Sequence, residues 1–475
     1  MNRKTWILIA LAGCAVAIYF VLPKWMWQGN PSFTKLSKLR EFAPGDSRDN
    51  TEANPELVPP ELIPFVNLKN KDEKIAQQAL MEIASSWKDS YAVMLLELRG
   101  ILENPRVRLH VMKLVFEKTN QQPPNLFGVY RWIWRPVISE HPRYADFKSL
   151  LYTGIDTRFR KVFAPRPETR VDLTELLFSG GHDDRVPSLS TPKMDTADKA
   201  TKLRPLEAVI GIVVNGVAKA YPRSIVSHHE VVKDYVGDAE VLLTDCLCSG
   251  TVTAFSSKDE PMMEFFSSGF VYRSHKVLMD PKSSTLWSVV TGERIVGPKT
   301  KPLNRHAVVL TNWKSWRERH PNTWILAKVT GANKREGIDY SALSPRDQYL
   351  ANDQIGSPVP NVAPLLPNKA DVLVIAGKQP LGIALRYRMK NAVISLDDMV
   401  VLTNKVGASR VYTAGKNKFV SWDGKDGVKD DKGRVWKLTE EMLTGPGKST
   451  CKRVVTYHCY WFAWNVMYPS AKLLK

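Results

Sequence analysis

Two cysteines one residue apart, Cys246 and Cys248, lie between an apolar run and a β-branched run in the stretch 241–255. Thiolates bind soft metals, and imidazole nitrogens are borderline ligands. With His229 upstream and His275 downstream, the pair would make a two-sulfur, two-nitrogen set for zinc or copper. Glu230 follows His229 and reads as a base, an orienter or a ligand-supporting carboxylate. Arg273 and Asp280 flank His275 as further supporting groups.

The same thiols allow two other chemistries. A bridge across a single intervening residue is strained, so such a pair would be a readily reduced redox couple. Alternatively, each thiol is structural, buried alone or paired with Cys451 or Cys459. The structural reading ranks first, metal second and redox third, and all three stay open at this point. His229-Glu230 equally reads as a strand-end polar pair, of which only one side chain faces inward. No Gly-rich phosphate loop with a following Lys-Ser/Thr, no Gly-x-Ser-x-Gly elbow and no His-Glu-x-x-His occurs. Nucleotide hydrolysis and zincin-type proteolysis are therefore disfavoured.

The elements that must hold these residues read as strand, tight turn, strand, with the thiols in the turn. Upstream, Ala208–Val214, Asn215-Gly216 and Val217–Tyr221 spell a hairpin, because Asn-Gly tolerates the positive φ of a type I′ turn. Strand patterns continue at Phe270–Tyr272 and Leu278–Met279. An internal repeat follows: the stretch 400–413 lines up with 241–254, and Asp371–Tyr387 echoes Ala208–Pro222. That alignment puts Lys405 and Gly407 where the cysteines stand, so the turn scaffold does not require thiols.

Ahead of the strands, apolar stripes through Ile75, Ala79, Leu80, Ile83 and Trp87, through Tyr91 to Leu102, and through Leu109 to Phe116 predict three short helices. The aromatic-rich stretch 121–166 reads as core. The predicted class is α+β: an N-terminal anchor (1–27), a polar linker (28–65), a helical, aromatic-rich region (66–165), a β-rich copy carrying the Cys/His site (166–330), and a second copy with a Trp-rich tail (331–475).

The 475 residues bury a large core, and 67 Lys and Arg against 48 Asp and Glu leave a charge of +19. The basic residues are scattered rather than gathered into stripes, so no specific nucleic-acid partner is expected; a nearby anionic lipid or cell-wall surface accounts for the excess. Trp6–Leu22 is free of charge and preceded by Arg3 and Lys4. No Ala-x-Ala site follows it, which favours a signal anchor over a cleaved peptide. The expected placement is a membrane-anchored chain whose body lies in the periplasm or outside the cell.

The ordered pieces Ile155–Phe159, Asp184–Pro187, Asn215-Gly216 with Ala220–Pro222, and His229–Asp234 resemble those of the domain-of-unknown-function 3179 family. So do the cysteine turn, Gly269–Asp280, Leu286–Ser288, Thr291-Gly292, Trp316, His320-Pro321 and the tail Tyr460–Trp464 with Tyr468-Pro469. The resemblance implies a prokaryotic, often exported protein with no established activity. The family turn carries Cys-x-x-Cys, whereas this chain has Cys246-Leu247-Cys248.

Overall fold

The computed structural model describes residues 58–121, 125–182, 186–334, 338–377 and 379–475. The predicted anchor at Trp6–Leu22 lies outside them, and among the described residues no helix is long and apolar enough to cross a membrane.

The described chain begins with helices α1 (Ile63–Asn67), α2 (Glu73–Ser85), α3 (Tyr91–Arg99), α4 (Pro105–Lys118), α5 (Leu126–Ile133), α6 (Tyr144–Tyr152) and α7 (Phe159–Phe163). Asp72, Asn104 and Asn125 cap α2, α4 and α5 with their side chains, which satisfies amides that have no partner within the helix. The buried faces are Ala76, Ala79 and Ile83 on α2 and Val107, Val111 and Val115 on α4. Ile75 and Leu109, placed on the apolar stripes by spacing, are exposed. Helix α3 is buried from Tyr91 through Leu98, as expected of a segment that is apolar all round. Its Glu97 accepts from Tyr144 Oη (2.7 Å) and Lys148 Nζ (2.5 Å), and Lys148 also donates to Leu176 O (2.8 Å). That ammonium ties the helical layer to the first strand of the body.

The body opens with β1 (Leu176–His182), β2 (Leu189–Ser190) and β3 (Asp195–Thr196). The first repeat unit follows: hairpin β4 (Ala208–Val214) and β5 (Val217–Pro222), α8 (Arg223–Val226), and the meander β6 (Val231–Val236), β7 (Ala239–Asp245) and β8 (Val252–Ser256). Four strands are then inserted: β9 (Phe266–Tyr272), β10 (His275–Asp280), β11 (Thr285–Ser288) and β12 (Arg294–Val296). The unit closes with β13 (Asn304–His306), β14 (Val308–Asn312), α9 (Trp313–Arg319) and β15 (Trp324–Ile325).

After α10 (Pro345–Leu350) the order recurs. Hairpin β16 (Asp371–Ile375) and β17 (Leu381–Ala384) leads through α11 (Leu385–Lys390) to β18 (Val393–Ser395), β19 (Met399–Thr403) and β20 (Ser409–Thr413). The insertion is β21 (Phe419–Trp422), β22 (Gly427–Asp430), β23 (Val435–Leu438) and β24 (Met442–Thr444). β25 (Thr450–Val454), β26 (Thr456–Tyr460), α12 (Trp461–Met467) and β27 (Leu473–Leu474) end the chain.

Pairing repeats with order. β14 and β4 run antiparallel, β4 and β5 form the hairpin, and β15 joins β5 in parallel. β26, β16, β17 and β27 do the same. After each insertion the chain returns beside the strand it left, β13 on β8 and β25 on β20. Even the tight spots correspond. In the cross-strand pair Gly211–Ala220, the glycine lies on the first strand; in Val374–Gly382, it lies on the second. A Cβ at Gly211 would come within 2.1 Å of the Trp316 ring, and one at Gly382 within 2.9 Å of Trp464. Each unit therefore spends one glycine to seat the indole of its closing helix. Strand β26 also pairs with β8, at His458 and Val252, which joins the two units in one nine-stranded sheet.

Candidate functional site

The cysteine turn connects β7 to β8. Cys246 N donates to Thr251 O (2.9 Å), and Gly250, at φ +64°, donates back to Cys246 O (2.8 Å). In the second unit Asn404 N donates to Ala408 O (3.0 Å), and Gly407, at φ +83°, donates to Asn404 O (2.9 Å). These registers correct the sequence alignment. The second turn is one residue shorter, Asn404 stands in the place of Cys246, and Gly407 corresponds to Gly250 rather than to Cys248. The turn still forms without thiols. Asn404 Oδ1 serves the amides of Val406 and Ala408 there. In the first unit Glu230 takes that part from outside, its Oε1 accepting from Leu247 N at 2.9 Å.

Glu230 holds a left-handed backbone, φ +59°, at the end of the turn that follows α8. Its other oxygen pairs with Lys276 Nζ at 2.5 Å, and that ammonium also donates to Ser267 Oγ at 2.9 Å. Burial alone would lower the Lys276 ammonium; the Glu230 charge more than offsets it, and the net shift is upward. Lys276 was invisible to the sequence reading, which stopped at its neighbour His275. Strand alternation was the available signal, since adjacent residues face opposite ways.

All four described cysteines are free thiols. Cys246 is buried, with Sγ 3.7 Å from Ser274 O, and Cys248 is half-buried. Burial pushes both thiols up, and the Glu230 charge adds to it. Both groups are therefore protonated at neutral pH and poor nucleophiles. Neither of the possible bridges, to Cys451 or to Cys459, is formed. Cys451 packs with Trp436 and Leu443 in the core of the second insertion, whereas Cys459 packs with Trp287 and Trp461 in a different core.

Nor do His229 and His275 converge with the thiols into a ligand set; among the described residues no group of three or more metal-ligating side chains gathers. His229 spends Nδ1 on Pro187 O (2.8 Å) and Nε2 on Tyr340 Oη (2.7 Å), with the two rings stacked. His275 Nε2 donates to Ala463 O (3.0 Å), which fixes the tautomer and leaves Nδ1 to accept from Thr251 Oγ1 (2.8 Å). Ser249 Oγ donates to Thr251 Oγ1 (2.8 Å), so a chain of hydrogen bonds runs from the turn through His275 to α12. Burial lowers the His275 pKa to about 4.

The supporting residues also have local tasks. Arg273 forks onto Glu175, with Nη2 to Oε1 at 2.8 Å, and its Nη1 donates to Val466 O (3.0 Å). Asp280 folds the turn after β10 by accepting from Lys282 N (2.9 Å) and Ser283 Oγ.

Arg223, which sequence reasoning missed, lies on the other side of the turn. Arg223 grips Asp245, the residue before Cys246, through Nε (2.7 Å) and Nη2 (2.6 Å). Arg223 also lines a cleft of about 610 Å³ with Arg204, Glu207, Ser224, Arg346 and Asp347. Across the sheet, His458 Nδ1 donates to Asp371 (3.0 Å), which Arg388 also grips; Arg388 reaches Ser409 Oγ as well (2.9 Å). Burial and the neighbouring Arg388 hold the His458 imidazole well below its ordinary pKa, so it meets Asp371 as a neutral hydrogen-bond donor.

No curated protein and no solved structure matches this chain. A family model described as protein of unknown function (DUF3179) matches residues 183–471, from before the first repeat unit to just short of β27, and the chain belongs to that family.

Proposed function

We propose that this chain is a membrane-tethered, extracytoplasmic binding module in which the cysteine turn stiffens a cleft wall, rather than a thiol enzyme or a metal centre. One observation carries the reading: the ring nitrogens of both candidate histidines are engaged inside the fold, and burial keeps both candidate thiols in their protonated form. Arg223 gives the turn a use, since it fixes Asp245 on one side and lines the cleft on the other. The tether rests on the uncharged run Trp6–Leu22 and the basic residues before it.

Native thiol titration of the full chain tests the binding-module reading. Cys246 and Cys248 should react only after denaturation, and protein purified without chelator should hold the same zinc and copper as a Cys246→Ser/Cys248→Ser variant. Fast native labelling of either cysteine, or stoichiometric metal that the variant loses, overturns it. A phosphatase fused after Lys475 should be active; an inactive fusion removes the extracytoplasmic placement.

A further inference from the structure

We infer that the cleft between β4, α8 and α10 is a binding site for a small ligand carrying an oxyanion, with Arg346 as its principal donor and Arg223 as the wall behind it. The inference rests on the binding-module reading and names the site and the ligand class.

Three observations converge on it. First, the cleft of about 610 Å³ falls within the usual range of small-molecule sites, and five of its lining residues carry charges. Second, the charges there are unequally satisfied. Glu207 is saturated: Arg204 Nη2 donates to it at 2.9 Å and Ser224 Oγ at 2.6 Å. Arg223 is paired with Asp245 through Nε and Nη2. Arg346 is not so paired. Its nearest carboxylate, Asp347, stands 3.9 Å away, beyond hydrogen-bond reach, half-exposed and accepting from Ser344 Oγ. Arg346 Nε is buried with no hydrogen-bond partner among the described residues. Third, burial and the neighbouring Arg223 both disfavour the Arg346 charge. A largely buried guanidinium held beside a second one, with donors unspent, is costly until an anion takes them.

A planar fork that pairs two oxygens suits carboxylate and phosphate alike. The two carboxylates in the cleft make it selective. They repel ligands with several dispersed charges and leave one pocket of positive potential around Arg346, so the ligand is a compact monoanionic or dianionic headgroup on a neutral body.

The test uses the full chain, with inorganic phosphate and acetate as separate probes and chloride as the ionic-strength control. Saturable binding of one probe by titration calorimetry is expected. Arg346→Gln should weaken it by about ten- to a hundredfold, the range for losing hydrogen bonds to a charged group. Arg346→Lys, which keeps the charge and loses the fork, should fall between the two. Lys437→Gln, exposed on β23, should bind as the wild type does. Because Arg346 bonds little of the fold, Arg346→Gln without ligand should melt at or above the wild-type temperature. Binding that survives Arg346→Gln, equal weakening by Lys437→Gln, or no saturable probe overturns the site. None of those results changes the thiol titration, which judges the binding-module reading separately.

Discussion

His275 should make the body acid-sensitive by a calculable amount. In the fold it is the neutral tautomer, donating from Nε2 to Ala463 O and accepting at Nδ1 from Thr251 Oγ1. Protonation at Nδ1 would put a second donor against a hydroxyl that already donates toward it. With a folded pKa of about 4 against an ordinary 6.5, the unfolded chain binds the extra proton first as pH falls. Stability from this group is thus complete above pH 6.5 and is lost as pH drops from there toward about 4. Between about pH 7.5 and about pH 4.5 the loss comes to about 2.5 kcal/mol.

Other carboxylates and histidines titrate over the same range, so the quantity to measure is a difference. His275→Gln keeps a donor for Ala463 O and cannot ionise. It should cost about 1–2 kcal/mol at neutral pH through the lost Thr251 bond. The gap between wild type and variant in urea unfolding should then close or invert at about pH 4.5, while groups common to both cancel. A difference that stays constant across that range would show that the buried imidazole does not govern the acid limb, and the hydrogen-bond chain from Ser249 to α12 would have to be redrawn.

Two further outcomes follow from the turn and its brace. Gly250→Ala combines a left-handed φ of +64° with a Cβ 2.6 Å from the Tyr460 ring, and should cost about 2–5 kcal/mol. Gly216→Ala, at φ +75° in open space, should cost about 1 kcal/mol; equal losses in denaturant midpoint would refute the collision. Lys276→Met leaves the Glu230 carboxylate buried and unpaired, at a cost of about 3–5 kcal/mol near neutral pH. The raised Lys276 pKa makes the wild-type contribution complete below 10.5 and lost as pH climbs past it. The two proteins should therefore converge in alkaline unfolding, and a constant gap would contradict the pairing.

The strand–turn–strand around Cys246, the Asn215-Gly216 hairpin and the existence of a repeat were legible because each is written in local periodicity and in glycine placement. The extent of the repeat was not. Each unit hides four inserted strands between β8 and β13, or between β20 and β25, and the indoles that match, Trp316 and Trp464, sit over glycines on different strands. The partners of the site residues were beyond reach for a different reason. His229 and His275 are satisfied largely by carbonyls, of Pro187 and Ala463, and a backbone acceptor leaves no signature in side-chain types. Cysteines and histidines near one another in sequence therefore suggested a ligand set. The group with donors to spare, Arg346, lay about a hundred residues from the turn it flanks.

The sharing of β26 between the units bears on how the chain comes into being. Growing from its N-terminus, the polypeptide can assemble β6, β7 and β8 early, with β13 along Ala254–Ser256 of β8, and β16 and β17 later, but β16 has a raw edge until residues 456–460 arrive. An unpaired β16 is a template for any passing strand. A product cut short before Thr456 would leave that edge open along Asp371–Ile375. The strand that covers β16 is thus also the one that ties the second unit to the first, and it is the last but one in the sequence.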